Sequence, residues 1–481
     1  MLQKMLEQLN NIRNIYDLMA LCCSYILKEM ESVSYELARF IAEEYEEVED
    51  AVISYNEDSE EYGRKKALKN LKSFIRQYLL QGITVERCYA IVYFIDENIE
   101  VEFPKENGAI QHNIFEYSEI NSQYKDRIRI IPKLTNTLLE KMSENNIQDI
   151  FRKRREAACS KIDEEMVNYS IWDSRRIEQY PIKIYHIEQE NSCYEHFYNS
   201  KRLVFGIFPV TCEEIDNILK IKREHRVFNV EGMHEMAEKS LVDRYTDILN
   251  RYKDEEIDFL IFPELLFTEK IIEVMKEYGN KIGLKSKFVI NGSVWKNKQN
   301  TCVVTDGKGH TILKYCKKRP YKIDDEYTEE LDQQKNKDYS ILEIDGIGRV
   351  GVCICKDLID EDVKSFHKYM RTNILIVPAF TGSMDLQSAG MELSMDYDCI
   401  VIVANACAAI DKGSGRTSRI GFITCPGKKK TDRTSLVRMY YQSECKKDCL
   451  KECAGKIIAI NFLPLEMEDG ILSFAIEEIV S

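Results

Sequence analysis

A chain of 481 residues is longer than one hydrophobic core usually organises, so at least two domains are expected, each large enough to fold without metal or disulfide staples. An apolar fraction of 44% beside 31% charged residues excludes a disordered chain, which lacks the apolar side chains needed to offset its conformational entropy. A formal net charge of -14 repels a phosphate backbone, so nucleic acid is not expected as a direct partner, and the basic runs at 314–322 and 428–438 read as solvated loops.

From residue 1 to about 81 the pattern is helical, with Leu18, Leu21, Cys22, Tyr25 and Ile26 recurring at three-and-four spacing between charged residues. The run Glu43, Glu44, Glu46, Glu47, Glu49 and Asp50 reads as a solvent-facing helix side, the alternative being an acidic interaction surface. The apolar stretch at 15–27 is interrupted by Asp17 and is too short for a spanning helix or a signal peptide, so no membrane association and a cytoplasmic location are expected. Sixteen cysteines in that setting are reduced thiols, and each is core filler, a metal ligand or a nucleophile.

Between 85 and 199 the signals mix: 88–95 reads as a strand, 138–158 as a helix and 182–187 as a strand. Residues 1–199 are therefore expected to form a mainly helical accessory or regulatory region, with a break near 84 and a protein partner as its use. Residues 200–481 form the second domain. There the chain alternates strands at 203–210, 257–262, 287–290, 301–305, 349–354, 374–378 and 399–404 with helices such as 233–252, 269–278 and 387–396. Apolar strands spaced in this way predict an α/β layered fold whose sheets are covered by helices.

Three short segments stand at ends of these strands: Phe262-Pro263-Glu264, Tyr315-Cys316-Lys317 and Gly351-Val352-Cys353-Ile354-Cys355-Lys356-Asp357. A cysteine is a nucleophile only as its thiolate, so it needs a base. Glu264 follows Pro263 directly after an apolar strand, where partial burial raises a carboxylate's proton affinity and suits it to that task. Attack on an amide or nitrile carbon places negative charge on the substrate heteroatom, which a fixed ammonium and a backbone N–H can hold. Lys317 and the amide of Lys356 are the candidates. Cys353 and Cys355 alternate on one strand and would share a face.

In this order and these strings the chain resembles the nitrilase (carbon-nitrogen hydrolase) superfamily over about 270 residues. The resemblance implies Glu264, Lys317 and Cys355 as a catalytic triad and selects Cys355 over Cys353, which packs beneath it. It extends to Asn300-Thr301 opening the hairpin before the lysine, Val377-Pro378 after the nucleophile, and a strand ending at Asn405. It implies an α-β-β-α sandwich and a second glutamate after the lysine, for which Asp325-Glu326-Tyr327 lies at a matching distance. It also implies a thioester mechanism with no cofactor, amides ahead of nitriles as substrates, and a homodimer or larger assembly. Two positions depart from the family's pattern. Lys356 stands where a bulky or aromatic residue is usual, and Arg319 replaces a common histidine; both add positive charge and suggest an acidic or carboxylate-bearing substrate.

Two further readings share these residues. One is a glutaminase supplying ammonia to a partner synthetase. The other is a non-catalytic sensor or scaffold, in stress or phage defence, whose N-terminal region does the work. Cys445, Cys449 and Cys453, spaced by four, would align on one side of a helix and could bind zinc with a fourth ligand such as Cys425, although structural zinc sites use closer pairs. Gly307-Lys308-Gly309 and Gly413-Ser414-Gly415 read as turns.

Overall fold

The computed structural model describes residues 2–12, 14–29, 45–99, 113–116, 128–132, 169–173, 182–187, 201–211, 213–281, 284–323, 326–332, 338–344, 347–382, 385–397, 399–407, 418–426, 436–442, 455–463 and 473–479. The chain divides into two compact units. The first holds Met1–Gly108, Glu116–Thr135 and Ser143–Ile182, and the second Ala109–Phe115, Asn136–Met142 and Lys183–Ser481.

The first unit is built on the helices α1 (Leu2–Asn10), α2 (Ile15–Glu29), α3 (Glu46–Tyr62), α4 (Arg64–Leu80) and α5 (Val85–Asn98). Its core is the apolar side of each, with Leu18, Cys22, Val52, Leu71, Ile75, Ile91 and Ile95 all buried. Gly63, at φ 85, lets α3 turn straight into α4, a conformation that costs glycine nothing. The 88–95 segment, expected as a strand, lies inside α5. Thr84 caps that helix by accepting from the Arg87 N–H at 3.2 Å, and the apolar run looks strand-like only because every side of the helix is covered. The helix expected at 138–158 lies outside the described residues. No described helix is long and apolar enough to cross a membrane.

Among the described residues the strands, in chain order, begin with β1 (Asn113–Glu116), β2 (Ile128–Pro132), β3 (Tyr169–Asp173), β4 (Ile182–Ile187), β5 (Arg202–Ile207), β6 (Leu219–Glu224) and β7 (Val227–Met233). They continue with β8 (Phe259–Ile261), β9 (Phe288–Lys296), β10 (Gln299–Asp306), β11 (Thr311–Cys316), β12 (Lys322–Ile323), β13 (Tyr327–Glu329) and β14 (Tyr339–Ile344). The last are β15 (Gly348–Val352), β16 (Ile374–Ala379), β17 (Ile400–Asn405), β18 (Ser418–Cys425), β19 (Leu436–Gln442), β20 (Lys456–Leu463) and β21 (Ser473–Ile479). The second unit carries an eight-stranded sheet in the order β1-β4-β14-β15-β16-β17-β18-β19 and a seven-stranded sheet in the order β11-β10-β9-β8-β5-β20-β21. A small sheet, β12-β13-β7-β6, stands beside them, and β2 pairs with β3 in the first unit.

Helices α6 (Glu235–Tyr252) and α7 (Glu269–Lys281) cover the seven-stranded sheet, where Tyr245, Leu249 and Ile271 pack with Leu260, Phe262 and Val289. Its other face meets the eight-stranded sheet: Ile207 lies against Gly421, whose Cβ would stand 3.3 Å from the isoleucine Cδ1 and 2.3 Å from the Val403 carbonyl oxygen, so only glycine fits. Phe205, Phe259 and Phe288 occupy matching positions on β5, β8 and β9, with ring centroids 5.3 Å apart at each step, and they stack as a ladder across these parallel strands. On the far side α8 (Glu361–Tyr369) and α9 (Asp385–Tyr397) cover the eight-stranded sheet, Phe366 stacking on Tyr339 and Ser394 bonding Thr424 at 2.7 Å. The result is an α/β unit of helix, sheet, sheet and helix layers, preceded in the chain by a mainly helical N-terminal region.

Candidate active site

Glu264 stands three residues beyond β8. Phe262 anchors the strand end through its ring, 4.3 Å from that of Tyr245, and through its N–H, which donates to the Ile290 carbonyl at 2.9 Å. The chain then turns sharply at Leu265 (φ 64) over Gly292 (φ 71), where any Cβ would fall 2.1 Å from the Pro263 carbonyl oxygen. The Glu264 N–H reaches across to the Ala379 carbonyl of β16 at 3.4 Å, joining the two large sheets at their strand ends.

Lys317 follows β11 directly, its N–H donating to the Asn300 carbonyl at 2.8 Å, and its side chain runs inward until 1% of it is exposed. Nζ lies 2.7 Å from Glu264 Oε1 and 2.8 Å from Glu329 Oε2. The Asn300 amide group donates to Glu264 Oε1 at 2.9 Å and to Glu329 Oε1 at 3.3 Å. One ammonium and one amide thus hold two buried carboxylates together, which offsets part of the cost of burying like charges.

Cys355 lies off the strand. β15 ends at Val352, and Cys355 opens a 3-10 turn, Cys355–Ile359, at φ 47, a backbone position that costs a non-glycine residue roughly 1–2 kcal/mol. The expectation that Cys353 and Cys355 share a strand face therefore fails, because the turn re-aims the second thiol. Cys353 is fully buried, its N–H bonded to the Ile376 carbonyl, while the Cys355 thiol hydrogen-bonds Glu264. The backbone amide of Phe380 also contacts the Cys355 sulfur and favours its thiolate. That amide is held in place by Asn405, which accepts from the Thr381 N–H at 3.0 Å and donates to the Thr381 carbonyl at 2.9 Å.

Asp357 fastens the nucleophile turn to the lysine loop. Its buried carboxylate accepts from the Tyr315 hydroxyl at 2.9 Å, from the Lys318 N–H at 3.0 Å and from the Arg319 N–H at 2.6 Å. Burial pushes its proton affinity up to about 6 against the pull of these donors and of Lys317. Glu264 is also raised, by burial first and then by Glu329, against the pull of Lys317. Lys317 is held well above its ordinary value by Glu264, Glu329 and Cys355, which together outweigh desolvation. Burial and Glu264 raise the Cys355 thiol, so the resting sulfur is protonated.

The structure brings together Glu264, Lys317 and Cys355 but not Glu326. That residue is exposed in the turn before β13, whereas Glu329, three positions on, is buried and sits on β13 in parallel register with Phe228 of β7. The expectation for Glu326 is corrected to Glu329, since the added strand β13 turns 329 inward and leaves 326 in water. Glu329 is further fixed by the Tyr321 N–H at 2.7 Å. Lys356 adjoins the nucleophile with a partly exposed side chain whose Nζ is 3.8 Å from Asp385 Oδ2, and exposed Arg319 pairs with Asp360 at 3.4 Å. In the sequence Asn300, Asp357 and Asn405 stand out only as flanking residues, and the Phe380 amide leaves no mark at all. Cys425 is a buried free thiol, while Cys445, Cys449 and Cys453 lie outside the described residues. Among the described residues no group of three or more His, Cys, Asp or Glu could hold a metal ion.

A buried thiol, carboxylate and ammonium converging at strand ends of a two-sheet α/β unit define the class of site: one equipped for nucleophilic attack by sulfur and for holding developing negative charge. Among solved structures the chain is similar in fold to members of the nitrilase superfamily. One is a mutant of the amidase from Nesterenkonia sp. AN1 (11% identity, covering 55% of this chain and 90% of that chain, TM-score 0.34), solved with covalent addition of the acetamide moiety of fluoroacetamide at its active-site cysteine. Another is Saccharomyces cerevisiae Nit3 (12% identity, covering 54% of this chain and 89% of that chain, TM-score 0.31). No protein-family model and no curated protein matches the chain.

Proposed function

We propose that the second unit is a cysteine hydrolase of carbon-nitrogen bonds other than peptide bonds, acting on amides in preference to nitriles. The observation that carries this reading is the contact chain Cys355 thiol to Glu264 to Lys317 to Glu329, every member buried. Glu264 takes the thiol proton as sulfur attacks the carbonyl carbon. Lys317 Nζ and the Lys356 backbone N–H, which the first positions of a helical turn leave without an internal partner, hold the oxyanion. The intermediate collapses to a thioester on Cys355, and the departing amine takes the proton from Glu264. Water then attacks the thioester carbon, giving a proton to Glu264; the acid leaves and the proton returns to sulfur. Glu329 and Asn300 keep Lys317 charged and Glu264 aimed. The cations of Lys356 and Arg319, each already shared with one carboxylate, favour a substrate that bears a carboxylate of its own.

The test is ammonia release from a panel of simple and carboxylate-bearing amides. The native chain should turn over at least one, Cys355→Ala none, and Glu264→Gln at least about 100-fold more slowly, the scale of lost general acid-base catalysis. Equal release by native and Cys355→Ala chains would end the proposal.

A further inference from the structure

The hairpin α3–α4 of the first unit divides its charge by helix. α3 carries eight carboxylates and no basic side chain, while α4 carries six basic side chains and no acidic one. Glu57, Glu60, Glu61, Lys65, Lys66 and Lys69 are all exposed, and among the described residues none of them is in an ion pair. Among the described residues the Asn70 amide bonds Asp58 across the hairpin, and Lys72 and Arg76 turn aside to cap the end of α1 through the Asn10 and Ile12 carbonyls and the Asn10 side chain. Opposite charges this dense on neighbouring antiparallel helices would ordinarily find each other. Here they face outward.

A second observation falls on the same hairpin. Ile53 (40% exposed), Tyr62 (51%) and Leu80 (54%) are three of the five exposed large hydrophobic residues among the described ones. Lys66 Nζ lies 3.7 Å over the Tyr62 ring, but no described carboxylate meets these lysines, and complementary charge together with exposed apolar side chains on one hairpin is the composition of a surface that is covered by something.

We infer that two copies of this chain associate through the α3–α4 hairpins, the acidic helix of each lying on the basic helix of the other. The geometry follows from the turn at Gly63. Residues equally far from it along α3 and α4 stand at equal height, because both helices rise by about 1.5 Å per residue. A two-fold axis along the hairpin lays α3 of one copy on α4 of its partner at that same height. It therefore opposes Glu57 to Lys69, Glu60 to Lys66 and Glu61 to Lys65 between copies, twice over. The contact is self-complementary and closes, as a two-fold dimer requires. A foreign partner would have to be acidic along one stripe and basic along the next, and a membrane surface, uniformly anionic, would be repelled by α3.

The test uses the full chain. Sedimentation at about 50 mM salt should give a mass that halves at about 500 mM, where exposed charges are screened. Lys65→Glu/Lys66→Glu/Lys69→Glu and Glu57→Lys/Glu60→Lys/Glu61→Lys should each show the halved mass at low salt. Mixing the two should restore the larger species, a result that misfolding of either variant could not produce. Zero-length carbodiimide coupling of mixed isotopically light and heavy chains should join Glu57 of one copy to Lys69 of the other. A mass unchanged in both variants, a halved mass in the native chain at every salt concentration, or recovery only with added anionic vesicles would overturn the inference.

Discussion

Replacing Glu329 by glutamine separates the roles of the two carboxylates around Lys317. The native carboxylate meets three donors: Lys317 Nζ at 2.8 Å and the Tyr321 N–H at 2.7 Å on Oε2, and the Asn300 amide at 3.3 Å on Oε1. Glutamine has one oxygen. Kept at the Oε2 position, it still serves Lys317 and Tyr321, but its NH2 then confronts the Asn300 NH2. Asn300 can relieve that clash by turning its unbonded Oδ1 inward, and doing so removes its donor from Glu264, 2.9 Å away. Losing one charge-assisted bond and misaligning another should cost about 2–3 kcal/mol of stability. The variant should also lose the repulsion by which Glu329 raises Glu264, so Glu264 should release its proton at lower pH. The acid limb of the rate, read as ammonia release or as Cys355 alkylation by iodoacetamide, should move toward lower pH, with a maximum about tenfold below native. Glu326→Ala should change stability by less than about 0.5 kcal/mol and leave the profile where it was, since that side chain is in solvent. A limb that moves up in Glu329→Gln, or a greater loss in Glu326→Ala, would refute the assignment.

Other consequences follow from the packing around the site. Gly292→Ala would force a Cβ to 2.1 Å from the Pro263 carbonyl oxygen at a positive φ, so about 3 kcal/mol or more of destabilisation is expected, together with loss of Cys355 alkylation as Glu264 moves away. Denaturant titration and peptide-mapped labelling check both. Asn405→Ala removes the clamp on Thr381; unfolding should come about 2 kcal/mol earlier, and Cys355 alkylation should slow several-fold as the Phe380 amide loosens. His367, buried under Gly351 with Nδ1 3.0 Å from Thr372 Oγ1, is pushed by burial to about 3. The unfolded ring takes up its proton near the ordinary 6.5, so the folded chain holds this contribution above that pH and loses it on acidification. At pH 5 the loss amounts to about 2 kcal/mol, and thermal unfolding of His367→Gln at pH 5 and pH 8 should show a correspondingly smaller acid penalty. An undiminished pH dependence in that variant would contradict it.

The second unit was the legible part of the sequence because its strands are short apolar runs buried on both faces. Strands at 374–379 and 400–405 fall within a residue of the expected 374–378 and 399–404, while the one expected at 287–290 runs on to 296 through Asn291, Gly292 and Ser293, which interrupt the hydrophobic run. The same rule misread 88–95, since a helix covered on every side shows no periodicity to distinguish it from a buried strand. Glu264, Lys317 and Cys355 stood out through their immediate neighbours. Glu329 did not, because Glu326, Glu329 and Glu330 are chemically alike and only the pairing of β13 with β7 decides which one turns inward. The 3-10 turn that lifts Cys355 out of its strand is likewise a tertiary outcome, enforced by bonds from Tyr315, Lys318 and Arg319 to Asp357.

The account stands most directly on the covalent state of Cys355 during turnover. The native chain, incubated with an amide that it hydrolyses, quenched in acid and mapped by peptide mass, should carry the substrate's acyl group on the peptide containing Cys355, and Cys355→Ala should carry none. Turnover with no acyl mass on that peptide under rapid quench, or the same mass on another cysteine, would contradict it.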